Sequence, residues 1–138
     1  MSNEDGEKNA IRELLACYCF HLDAYRFADM AALFTEDGTW DTAFGKGTGH
    51  AGIVAQAESI PAPPEGVRPK RVHLTTNIVI ALNGETATVQ SNWAVIMNSP
   101  NGTTIGSAGS YDDQVVKRNG SWMFQYRKIN RYIASGLI

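Results

Sequence analysis

Tyr18, Asp23 and His73 have the side-chain chemistry of proton transfer. A tyrosine hydroxyl donates a hydrogen bond to an oxygen that gains charge. A histidine moves a proton near neutral pH. A carboxylate beside that histidine orients it and favours its protonated form, or is itself the base. Together the three suit proton removal next to a carbonyl or phenol, followed by loss of a leaving group or return of the proton elsewhere. Each also has a plain structural reading: Tyr18 as a core aromatic with a bonded hydroxyl, Asp23 as a helix-end residue facing water, His73 as a hydrogen-bonded strand residue. Arg131 suits either a substrate oxygen or a surface acid, and Asn92, Trp40 and Tyr111 are further candidates to line a pocket. There is no nucleotide or flavin motif, no G-x-S-x-G elbow and no spaced set of metal ligands, so neither cofactor nor metal is expected.

These residues must be positioned by the elements around them. Ile11, Leu14, Leu15, Tyr18 and Leu22 recur at helical spacing and predict an amphipathic helix over residues 9–22, preceded by a polar lead-in. Asp23 lies just past that apolar stripe. Five residues on an ideal helix put side chains about 140° apart, so Tyr18 and Asp23 meet at one site only if the helix loosens or ends near residue 22. A short second helix is expected over 28–34, stopped by the turn residues 35–38. An extended piece follows over 39–44, then a flexible glycine-rich turn over 45–49 and a third helix over 50–60. His50 caps that helix or faces solvent. Residues 61–69 hold four prolines and form a surface loop, or a lid over a pocket.

From residue 71 the texture changes to strands, expected over 72–82, 86–98, 103–117 and 121–133, with turns at Asn83-Gly84, 99–102 and 118–120. His73, Thr75, Asn77 and Val79 alternate against Leu74, Ile78 and Ile80. On the next strand Ala87, Val89, Trp93, Val95 and Met97 oppose Thr88, Gln90, Asn92, Ala94 and Ile96. Gly106 and Gly109 permit a bend or bulge in the third. The order is α+β: three N-terminal helices packed on a strongly curved antiparallel sheet, a cone-shaped barrel with a central cavity, as a single domain over 1–138.

The chain has 138 residues and a net charge of −2, with no Lys/Arg cluster, so nucleic acid is not an expected partner. No apolar run approaches the roughly 20 residues needed to span a bilayer, so no membrane is expected either. The polar, acidic N-terminus is unlike a signal peptide. Cys17 and Cys19 sit two apart on a helix and do not face each other, so buried or half-buried free thiols in a reducing compartment are expected. The reading is a cytoplasmic protein. Long strands with large apolar residues on both faces cannot all be covered by three short helices, which predicts a homodimer or higher homo-oligomer through the sheet.

Several motifs carry a resemblance. Ile11-Arg12-Glu13-Leu14-Leu15 leads to Tyr18, Leu22-Asp23 and the run from Asp29 to Gly38; later come His73 with Thr76-Asn77, then Gly84-Glu85-Thr86-Ala87-Thr88-Val89, and Gly120-Ser121-Trp122. In this order, over nearly the whole chain, they resemble the nuclear transport factor two-like superfamily, and within it the SnoaL-like branch. The chain is similar there to the dehydratases, scytalone dehydratase and bile acid 7α-dehydratase. The resemblance gives Tyr18, Asp23 and His73 the catalytic positions. It gives Arg131, nine residues after Trp122, the position of a pocket arginine, and puts Thr42 or a close neighbour where a further tyrosine stands. It implies a cofactor-free lyase or isomerase acting on a small apolar, aromatic or polycyclic molecule in the cavity. Dehydration, isomerisation, epimerisation, cyclisation and carbon–carbon cleavage all need the same groups. The alternative is a non-catalytic small-ligand-binding or scaffold domain.

Overall fold

The computed structural model describes residues 3–60 and 70–135. The stretch 61–69, expected as a loop or lid, lies outside the described residues. The elements are α1 (Glu4–Asp23), α2 (Phe27–Ala31), β1 (Phe34–Thr42), β2 (Gly45–Thr48), α3 (Gly49–Ser59), β3 (Arg71–Asn83), β4 (Thr86–Ser99), β5 (Gly102–Arg118) and β6 (Ser121–Ala134). The strands form one curved, open sheet in the order β2-β1-β6-β5-β4-β3. The α+β architecture is the expected one, and the meander β3 to β6 follows the predicted boundaries closely.

Differences lie near the N-terminus. The first helix begins at Glu4, not residue 9. The Asn3 side chain accepts from the Gly6 backbone N–H at 3.0 Å, and Glu4, Asp5 and Glu7 suit the positive end of the helix dipole. Glu7 then ties that first turn to the far end of the sheet, accepting from Lys117 Nζ at 2.7 Å and Trp122 Nε1 at 2.5 Å. The second helix ends at Ala31. Residues 35–38, read as a stop turn, fall within β1, which lies parallel to β6: Phe34 pairs with Phe124 and Trp40 with Arg127, and 35–38 span the register shift between the two paired stretches. The glycine-rich turn becomes β2, antiparallel to β1. Gly47 passes so close to α3 that a Cβ there would lie 2.4 Å from the Gly52 carbonyl.

Bulges bend the meander and decide which side chains face inward. On β3 the register shifts between Thr76 and Val79, where Asn77 takes a left-handed φ of 55°. His73 and Thr75 therefore face in together with Ile78, Ile80 and Leu82, while Val79 is turned out and 64% exposed. The uninterrupted alternation expected for this strand is thus corrected by one residue. A second shift, opposite Gln114 and Val115, leaves Gln125 as the extra residue of β6. Trp122 and Phe124 face in before it, Arg127 after it. Gly106 is the extra residue of a third bulge, against Val95 and Ile96.

The helices pack on the inner face, and the core between them holds Ile11, Leu15, Phe34, Ile53, Val115 and Phe124. Cys19 is buried there; Cys17 is exposed, contrary to expectation, and both thiols are free. Among the described residues no helix is long and apolar enough to cross a membrane.

Candidate active site

The site begins where α1 stops. The Tyr25 and Arg26 backbone N–H groups fold back onto the Leu22 and His21 carbonyls at 3.1 and 2.9 Å, the Schellman arrangement. It requires a left-handed residue just past the helix, and Tyr25 takes that role at φ 60°. The helix therefore ends at Asp23, as the chemistry required, and the carboxylate turns toward β3. Asp23 Oδ2 accepts the His73 backbone N–H at 2.9 Å, and its Oδ1 contacts His73 Nδ1 in a short hydrogen bond. Arg71 lies on the same inward face of β3. Its guanidinium donates to the Leu22 carbonyl at 2.6 Å, sits 3.9 Å from Asp23 Oδ1 and lies over the Tyr25 ring at 4.1 Å.

The His73 side chain is 10% exposed and that of Asp23 18%. Burial pulls the His73 pKa down; the hydrogen bond and charge of Asp23 oppose this, the charges of Arg71 and Arg127 add to it, and the net direction is down. A neutral imidazole donates its Nδ1–H to the carboxylate. Nε2 is then left without a partner among the described residues, as an acceptor.

Tyr18 is fully buried on α1, edge-on to Tyr111 and Phe124. Trp40 Nε1 donates to its hydroxyl at 2.9 Å. Burial pushes the phenol up to about 12, against the pull of Arg127 and of the Trp40 hydrogen bond. Tyr111 is raised well above the ordinary tyrosine value, also by burial first. Under these rings lies Arg127, its guanidinium 3.5 Å from the Tyr111 centroid and 4.1 Å from that of Tyr18. Its Nε is 3.2 Å from Asp113 Oδ1, with both side chains wholly buried.

Beside these groups lies a cavity of about 120 Å³ between the helices and the sheet. Tyr18, His73, Trp40, Tyr111 and Arg131 all line it, as does Thr42. Asp23 is not part of the lining; it stands behind His73 and reaches the cavity through the imidazole. Arg131 lies over the Phe44 ring at 4.9 Å, and the aromatic residues Tyr25 and Phe27 also line the cavity. Asn92 is a correction. It is exposed on the outer face, accepting from Asn77 Nδ2 at 2.9 Å, because Trp93 takes the inward direction and neighbours on a strand alternate. His50 has no place in the cavity and donates from Nε2 to the Phe34 carbonyl at 2.7 Å.

Sequence alone does not single out Arg127 or Arg71. Plain alternation from Trp122 and Phe124 turns Arg127 outward, where an arginine is unremarkable; only the bulge at Gln125 turns it in. Arg71 shares the parity of His73, and that shared parity is a signal the sequence does contain. Among the described residues no group of three or more His, Cys, Asp or Glu side chains could hold a metal ion.

Residues 6–128 match the family model of the SnoaL-like domain. No curated protein matches the sequence. Among solved structures, the chain is similar to a Mycobacterium tuberculosis protein of unknown function, 27% identical over 98% of this chain and 79% of that one, with a TM-score of 0.82. It is similar to a candidate scytalone dehydratase of Novosphingobium aromaticivorans, 27% identical over 96% of this chain and 88% of that one, with a TM-score of 0.79. ActVI-ORFA of Streptomyces coelicolor shares the fold at 20% identity, with a TM-score of 0.80 over 91% of this chain and 97% of that one.

Proposed function

The chain belongs to the SnoaL-like domain family, and within it we propose a cofactor-free lyase or isomerase of dehydratase type, acting on a small apolar, aromatic or polycyclic substrate. The observation that carries this reading is the contact of His73 Nδ1 with Asp23 on the wall of a cavity that also holds Tyr18. Neutral His73 takes a proton at Nε2 from the carbon next to a carbonyl. The electron pair left on that carbon moves onto the carbonyl oxygen, which Tyr18 holds through a hydrogen bond donated by its hydroxyl. Asp23 stabilises the imidazolium that forms. In a dehydration the pair returns to form the double bond as hydroxide leaves from the neighbouring carbon. That hydroxide takes the proton from His73 and departs as water. In an isomerisation the same proton returns to a different carbon.

Proton exchange tests this reading whatever the final product is. Phenols and β-hydroxy ketones of one to three rings are screened by thermal shift, and those that bind are incubated in D₂O. The wild type should exchange the acidic carbon-bound proton, seen by NMR, and His73→Ala should not. If no binder exchanges or turns over, the catalytic reading fails and a ligand-binding domain stands in its place.

The same reading extends to assembly as a homodimer through the outer sheet face. Leu74, Ala94, Ala108 and Ile133 lie in one cross-strand row over β3 to β6, beside a row of Val72, Ile96 and Ile105. Val72, Leu74, Ile105 and Ile133 are each more than two-fifths exposed, and a patch of this composition favours an interface.

A further inference from the structure

The ion pair of Arg127 and Asp113 serves no surface and closes no helix. None of the three guanidinium nitrogens has a hydrogen-bond acceptor among the described residues, and neither carboxylate oxygen has a donor. Apolar side chains of similar volume would fill such a place without loss of stability, so the pair is poorly explained as a stabilising device. What the guanidinium does face is aromatic: Tyr111, Tyr18 and Phe124, at 3.5, 4.1 and 4.7 Å from their centroids. On β1 its cross-strand neighbour is Trp40, the donor to the Tyr18 hydroxyl. The titratable and charged groups around it are Tyr18 and Cys19 from α1, Tyr111 and Asp113 from β5, and His73 from β3.

We propose that Arg127 is a positioning residue of the active site: from behind the aromatic floor its charge favours negative charge at the Tyr18 hydroxyl, making that hydroxyl a stronger donor to a substrate oxygen that becomes an enolate or phenolate. The inference rests on the acid–base reading of the cavity. A phenol buried in an apolar wall is a poor donor to a developing anion, because burial disfavours the charge it must share. A fixed cation 4.1 Å from the Tyr18 ring centroid, in a low-dielectric setting, acts against that without any reorganisation during the reaction. Arg127 is the largest influence opposing burial at Tyr18, and it outweighs the contrary effect of Asp113. Asp113 keeps the buried charge balanced and the guanidinium in place.

The experiment replaces Tyr18 by 3,5-difluorotyrosine in the full chain and follows its ionisation by ¹⁹F NMR, without substrate. The apolar pair Arg127→Met with Asp113→Leu removes the cation and should raise the ionisation pH by about one unit or more, a tenfold change in the constant. Asp113→Asn keeps the cation, removes its counter-charge and should lower it. Arg127→Lys keeps the charge and should leave it within about half a unit. No shift in either of the first two, shifts of one sign in both, or a rise in Arg127→Lys as large as in the apolar pair would overturn the proposal; where the apolar pair does not fold, Asp113→Asn and Arg127→Lys decide. Once a substrate is identified, the apolar pair should lower kcat with KM little changed. Shifts as expected in a protein that turns over nothing would leave the electrostatic role standing and remove the acid–base reading.

Discussion

Trp40 Nε1 lies 2.9 Å from the Tyr18 hydroxyl oxygen in a buried contact, and an indole N–H can only donate. The Tyr18 oxygen accepts there, so its own proton is directed elsewhere, and the cavity is the place left for it. Tyr18→Phe keeps the ring packed on Tyr111 and Phe124 but strands the indole donor. It should cost about 1–3 kcal/mol of stability and lower turnover less than loss of His73 does. Trp40→Phe in the Tyr18→Phe background should then cost only its lost packing, less than it costs in the wild type, so urea denaturation of the two single variants and the double should show clear non-additivity. Strict additivity would deny the coupling.

Asp23→Asn and His73→Ala should each reduce turnover at least about 10²-fold with the fold intact by circular dichroism. The pH dependence separates their roles. Burial holds His73 below the ordinary histidine value, so the base is neutral at pH 7 and activity falls only on the acid side. Asp23 supports the protonated ring, and removing that support lowers the His73 pKa further. The acid limb of kcat/KM in Asp23→Asn should therefore move to lower pH. A limb that stays in place would show that Asp23 does not act on the imidazole.

The buried ion pair makes a stability prediction of its own. Arg127→Met alone leaves Asp113 uncompensated and should cost about 3–5 kcal/mol, whereas Arg127→Met with Asp113→Leu should be near neutral or stabilising. Burial pushes the Asp113 carboxyl up to about 6, Arg127 opposing. Its folded value thus lies above its unfolded one, and the stability it contributes is full below the unfolded value and is lost as pH rises through about 6. Relative to Asp113→Asn, the wild type should therefore gain stability between about pH 7.5 and about pH 5. Guanidinium melts at the two pH values check the sign.

Light scattering at micromolar concentration should give a dimeric mass. Ala94→Arg places a charge in the middle of the outer apolar row, between Leu74 and Ala108, and should give a monomer. A monomeric wild type would contradict the sheet-to-sheet pairing.

Much of this was legible in the sequence, for reasons that differ by residue. The stripe from Ile11 to Leu22 and the turns at Asn83-Gly84 and Asn119-Gly120 are local signals, and they located α1 and the meander. The second half of β1 was legible as the extended piece over 39–44, but its first half and β2 were not, since 35–38 carry turn residues and the strand is laid down against β6, about ninety residues later in the chain. Tyr18, Asp23 and His73 could be nominated to act together, but the backbone device that brings Asp23 to His73 could not. Spacing says nothing of a Schellman stop that uses a tyrosine, and that stop is what aims Asp23 at a histidine fifty residues away. Asn92 fails as a lining residue because Trp93, its immediate strand neighbour, takes the inward side. Arg127 stays hidden because the bulge at Gln125 inverts the alternation that Trp122 and Phe124 set.

The bulge at Asn77 places one supernumerary residue in the wall of the cone. Deleting Asn77 would restore simple alternation with His73, Thr75, Ile78, Ile80 and Leu82 all still facing inward. No lining side chain would change, yet the strand would straighten and the cavity would open out. The capacity of the pocket is thus written partly in a residue that never touches its contents. Variation at that position would retune which molecules fit while leaving the acid–base apparatus unaltered.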